Sequence, residues 1–91
     1  MVANRTVVGR EAKEAARIEF AAAFNAAKEK KTPEGYLHAA AKAAAFIAAL
    51  SRFKWDNDWS HEIWVATNNL MDHTRSQEEG LRLEAVRSQR V

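Results

Sequence analysis

A single proline, Pro33, stands in this chain of 91 residues, and it lies between two long alanine-rich segments. Thr32 before it can cap the free amides of a new helical turn, and Glu34 suits the positive end of a helix dipole. Proline is at home in the first helical position, where its missing N–H would have had no partner. Thr32-Pro33-Glu34-Gly35 therefore starts a helix and stops whatever comes before it. What comes before is also helical. From about residue 10 to 31, Ala12, Ala16, Phe20, Ala23, Phe24 and Ala27 recur at three- and four-residue steps. Lys28, Lys30 and Lys31 close that segment with the charge a helix C-terminus favours. The two helices predict a hairpin.

The second helix is expected over about 33–54. Tyr36, Ala39, Ala43, Phe46, Leu50 and Phe53 form a heptad seam, and Leu37, Ala40, Ala44 and Ile47 widen it. Only His38, Lys42 and Arg52 remain as a thin polar strip, which marks this helix as the central one. Asp56, Asn57 and Asp58 are turn and cap residues and predict a third helix over about 58–75. Its inward stripe is expected to be Trp59, Ile63, Ala66, Leu70 and His73, with Trp64 and Met71 on a different face. Ser76-Gln77-Glu78-Glu79 resembles a capping box, and Gly80 is a possible helix end. A break there predicts a short fourth helix over 77–88, with a basic tail as the alternative. The fold class is all-α: a helical hairpin, a third packed helix and a short C-terminal helix or tail, together one small bundle over 1–91.

The core of such a bundle is thin. Of 43 hydrophobic residues 19 are alanine, leaving 24 larger apolar side chains. At roughly 1.5–3 kcal/mol per fully buried large side chain, this barely offsets the entropy of ordering the chain. Self-association would bury more surface, so a homo-oligomer is expected. The first helix offers a second apolar face for it, Ile18 with Ala15, Ala22 and Ala26, and Ile18, Ala22 and Phe24 are its candidate self-association residues. No cysteine is present, which removes disulfides and thiolate metal sites and suits a reducing compartment. No apolar run nears the roughly 20 residues of a membrane span, and Met1-Val2-Ala3-Asn4-Arg5 lacks the apolar block of a secretion signal. A cytoplasmic location is expected, with no membrane partner.

Little in the chain supports chemistry. His61-Glu62 begins like a zincin helix, but Val65 stands where the second histidine belongs, and Asp56-Asn57-Asp58 lacks the glycine and distal glutamate of a calcium loop. The serines sit in no glycine-flanked elbow, and Gly9, Gly35 and Gly80 are too scattered for a phosphate loop. The expectation is a non-enzyme with no metal and no cofactor. His38 reads as a solvent-facing residue and His73 as a core histidine.

Charge is segregated. Residues 56–80 carry a net −5 between flanks of net +5 on the N-terminal side and +2 on the C-terminal side. A helix-turn-helix reading would bring Asp58, Glu62 and Asp72 towards phosphates, against the counterion release that drives nucleic-acid binding. Lys28, Lys30, Lys31, Arg52 and Lys54 are the candidate nucleic-acid contacts of this alternative, with Arg82, Arg87 and Arg90 as further cations.

Protein–protein recognition fits the residues better. All three tryptophans, Trp55, Trp59 and Trp64, fall within ten residues at the turn. Tryptophan is enriched at binding hot spots and methionine adapts to varied surfaces. Trp64, Met71, Asp56, Asp58, Glu62 and Asn68 are the candidate partner-binding residues, with Trp59 as a core capstone and Trp55 closing over the turn. The expected function is that of a small regulator or inhibitor of another protein, the kind of helical chain phages often encode. A structural assembly protein using the heptad seam is a third reading.

Overall fold

The computed structural model describes residues 5–89. They form three α-helices, α1 (Arg10–Lys30), α2 (Pro33–Asp56) and α3 (His61–Gln89), in a slender bundle 64 × 19 × 15 Å. The middle helix packs against both others. α1 begins with Gly9 in the left-handed region, at φ 84°, and ends at Lys31, whose N–H donates to the Ala27 carbonyl (2.9 Å). The break at Pro33 is built as its residues dictate. Thr32 is extended, and its Oγ1 accepts from the Gly35 N–H at 3.1 Å.

Small residues let α1 and α2 approach closely. Ala27, Ala39, Ala40 and Ala43 are fully buried, and a Cβ on Gly35 would lie 3.7 Å from the Ala27 Cα. Aromatics fill the rest. Phe20 stacks on Phe46 with ring centroids 6.2 Å apart, and Phe24 meets Phe20 edge-on at 5.7 Å. The heptad seam of α2 is the spine of this core: Ala39, Ala43, Phe46, Leu50 and Phe53 are buried and Tyr36 is half-buried. Phe24 thus belongs to the packed side of α1 and does not share the outward face of Ile18 and Ala22, because six residues on from Ile18 its side chain points about 120° away around the helix. Outside, Lys42 bridges to Glu19 at 3.1 Å, and Arg17 pairs with Glu14. That hydrogen bond holds the Glu14 carboxyl below its ordinary value and raises the Arg17 guanidinium.

The third helix departs from expectation in three ways. It starts at His61, not 58. Ser60 is the first-turn acceptor, its Oγ receiving the Ile63 N–H (3.3 Å) and its carbonyl the Trp64 N–H (3.0 Å). It also runs unbroken through Gly80 to Gln89, so the separate helix over 77–88 does not exist. Leu81 and Ala85 are buried and continue the same packed stripe, and Arg82 reaches back to Glu78 across Gly80 at 2.8 Å. Continued burial outweighs the roughly 1 kcal/mol that a mid-helix glycine costs.

Finally, the buried stripe is Thr67, Met71, Thr74, Leu81 and Ala85. From Ala66, Leu70 and His73 it is displaced by one position, about 100° of helix rotation. Ala66, Leu70 and His73 face outwards, and Met71 is only 4% exposed. The physical reason is that buried threonine need not be a polar liability. Thr74 Oγ1 donates to the Leu70 carbonyl at 2.8 Å, which satisfies the hydroxyl within its own helix.

Candidate functional site

The α2–α3 turn, Asn57-Asp58-Trp59, organises one end of the bundle. Asn57 is wholly buried and its side chain makes three hydrogen bonds to backbone. Its Nδ2 donates to the Val8 and Phe53 carbonyls, both at 2.8 Å, and its Oδ1 accepts from the Val8 N–H at 3.0 Å. One amide therefore fastens the segment ahead of α1 to the end of α2, across 49 positions of sequence. Gly9 follows at once, and its left-handed backbone turns the chain into α1 beside Phe53.

Around this anchor the three indoles gather at the surface. Trp55 meets Trp64 edge-to-face, centroids 5.2 Å apart with planes at 89°. Lys54 sits against this pair. Its Nζ lies 4.4 Å from the Trp64 ring centroid and 5.9 Å from that of Trp55, and donates to Asn68 Oδ1 at 2.8 Å. Trp59 carries a second cation, the Arg5 guanidinium, 5.7 Å from its ring. Trp55, Asp58, Trp59, His61 and Trp64 line one shallow groove.

Exposure sorts the tryptophans differently from the sequence expectation. Trp55 is 61% exposed and Trp59 41%, while Trp64 is half-buried between Trp55 and Lys54. Trp59 is therefore not a core capstone, because it lies in the turn ahead of α3, where no helix covers it. Met71, which the sequence predicts on the outer face with Trp64, lies in the core. Of the other candidate contacts, Asp56 is engaged by Arg52 at 3.0 Å and Asn68 by Lys54. Asp58 and Glu62 are exposed and form no ion pair among the described residues. Missing from the sequence reading are Arg5 and Asn57's tether, because neither has a local signal pointing to a partner some fifty residues away.

The candidate nucleic-acid residues do not converge. Lys28, Lys30 and Lys31 lie where α1 ends, and Arg52 and Lys54 at the far end of α2, about 30 Å away by helix rise. Lys28 covers the Phe24 ring (5.2 Å), and Arg52 and Lys54 already have partners. Arg90 lies outside the described residues. α2 and α3 lie side by side, so the turn does not present α3 as a free recognition helix. Among the described residues no three His, Asp or Glu side chains gather to hold a metal, and no helix is long and apolar enough to cross a membrane. A second groove, between the starts of α1 and α3, has Leu50 and Phe53 along it with Ile63 and Leu70, and Arg10 and Lys13 at its edge.

The chain matches no protein-family model, no curated protein and no solved structure.

Proposed function

We propose that this chain is a non-catalytic protein-binding module, a small regulator or inhibitor that docks on its partner through the tryptophan end of the bundle. The observation that carries this reading is the exposure of Trp55 and Trp59 together at one turn. Two large indoles left in water are costly to solubility, and burying them against a partner recovers roughly 1.5–3 kcal/mol each. The half-buried Trp64 backs them, and Asp58 and Glu62, exposed and in no ion pair among the described residues, supply an acidic rim. Trp64 acts mainly by fixing Trp55, and Met71 plays no direct part.

The same reading has the chain self-associate, with Ile18 and Ala22 on the outward face of α1 as the contact; Ile18 is 55% exposed. Nucleic-acid binding is the weaker reading, since its cations lie at opposite ends of the bundle.

A pull-down from the native host with the wild-type chain, Trp55→Ala and Trp59→Ala in parallel tests the docking surface. The expected result is a partner captured by wild type and lost by both variants, with helicity by circular dichroism unchanged. Equal capture by all three chains would overturn the assignment.

A further inference from the structure

Resting on that reading, we propose that the tryptophan end recognises arginine: it takes the guanidinium of a partner segment, and the chain's own Arg5 competes for the same place. Three observations converge. The groove joins three indoles to one carboxylate, Asp58, which has no ion-pair partner among the described residues. The Trp55 and Trp64 planes stand at 89°, so they form a corner rather than a flat stack. Two of the chain's cations already lie over these rings, Lys54 on the Trp64 side and Arg5 on Trp59.

Lys54 is built in. It is half-buried, held by Asn68, and sits one residue from Trp55, so it completes the wall of the site. Arg5 differs from it. It is exposed, makes no hydrogen bond or ion pair among the described residues, and belongs to a segment tied down only from Val8 onwards by Asn57. It can leave without disturbing the core.

The site's chemistry selects guanidinium over ammonium. A planar guanidinium stacks on an indole face while its edge donates to a carboxylate, and the weak hydration of the group makes its transfer from water cheap. Ammonium is a strongly hydrated point charge with no planar face to stack, so its transfer from water onto an indole costs more. The local charge agrees: Asp58 lines the groove and is exposed, and Glu62 is exposed in the first turn of α3.

All three tryptophans of the chain lie here, so tryptophan emission, excited selectively over Tyr36, reports this site alone. The test is a titration of the full chain at physiological salt with acetylated tetra-arginine amide, with tetra-lysine as comparator. The expected result is a saturable tryptophan response to tetra-arginine, roughly three- to ten-fold tighter than to tetra-lysine. Asp58→Asn should weaken it by a similar factor, and Arg5→Ala should strengthen it several-fold. Both substitutions are at exposed positions, so folding is spared. No saturable response in wild type or Arg5→Ala overturns the inference, as does an equal response to both peptides that Asp58→Asn leaves unchanged. A null titration alongside partner capture that depends on Trp55 overturns arginine recognition and leaves the docking surface standing.

Discussion

At the scale of single residues, Asn57 carries more of the structure than any apolar side chain near it. It is buried with both amide donors and its Oδ1 bonded to backbone, and no other contact described ties the segment ahead of α1 to the turn by hydrogen bonds. Asn57→Ala leaves the Val8 N–H and carbonyl and the released volume unsatisfied, for an expected loss of about 1–3 kcal/mol. Asn57→Asp is the sharper probe. It keeps the acceptor for the Val8 N–H but sets a carboxylate oxygen against the Val8 and Phe53 carbonyls. At neutral pH it should cost more than Asn57→Ala, and urea unfolding of the two variants measures the order. Equal or smaller loss for the aspartate would show that the donor side of the amide does not matter. Because Arg5 is held near Trp59 by the same tether, Asn57→Ala should also release that cation from the indole.

At the scale of elements, Gly80 decides between two structures of the same segment. As a helix end it would need a left-handed backbone that only glycine adopts easily, and alanine there would destabilise. As the interior residue of α3 it has ordinary helical geometry, and an added Cβ meets nothing within 4 Å. Gly80→Ala should therefore stabilise the protein by about 0.5–1 kcal/mol. Gly9→Ala should do the reverse, by about 1 kcal/mol or more, because Gly9 sits at φ 84°. Thermal melts of the two variants, moving in opposite directions, check both.

The contrast also explains what could be read ahead of the structure. α1 and α2 were legible because proline, its cap and the Phe46-Leu50-Phe53 seam all agree. In α3 they conflict. Ile63 and Leu70 are large and regularly spaced, yet the helix buries Thr67, Met71 and Thr74 one position later. Periodicity treats threonine as polar and cannot register that a hydroxyl bonded to its own helix is inexpensive to bury. The clustering of the tryptophans is legible in the sequence, but which indole faces water follows from the phase of α3, and the Asn57–Val8 clamp is a contact between distant residues with no local pattern.

At the scale of the whole molecule, the question is whether so thin a core stands alone. Among the described residues the large apolar side chains that are buried are Phe20, Phe46, Leu50, Phe53, Met71 and Leu81, and alanine supplies the rest of the apolar core. Meanwhile Ile18, Leu37, Leu83 and Val86 lie exposed along the rod in addition to the two tryptophans. A chain with six large buried side chains and that much apolar surface left over has more to gain from pairing with a copy of itself than a typical domain of its length. If folding and pairing are one transition, the melting temperature must rise with protein concentration. For a pair of 91-residue chains, unfolding entropies of about 2.1 cal/mol/K per residue and a hundredfold rise in concentration predict an increase of roughly 7 °C. Melts by circular dichroism at two concentrations, with light scattering at both, measure it. A constant melting temperature with a monomer mass would mean that six large side chains, the alanine-lined contacts between α1 and α2 and the Asn57 clamp hold the fold without help. Ile18→Glu separates the remaining cases: it should abolish the concentration dependence if the outward face of α1 is the contact, and leave it intact if copies meet elsewhere along the rod.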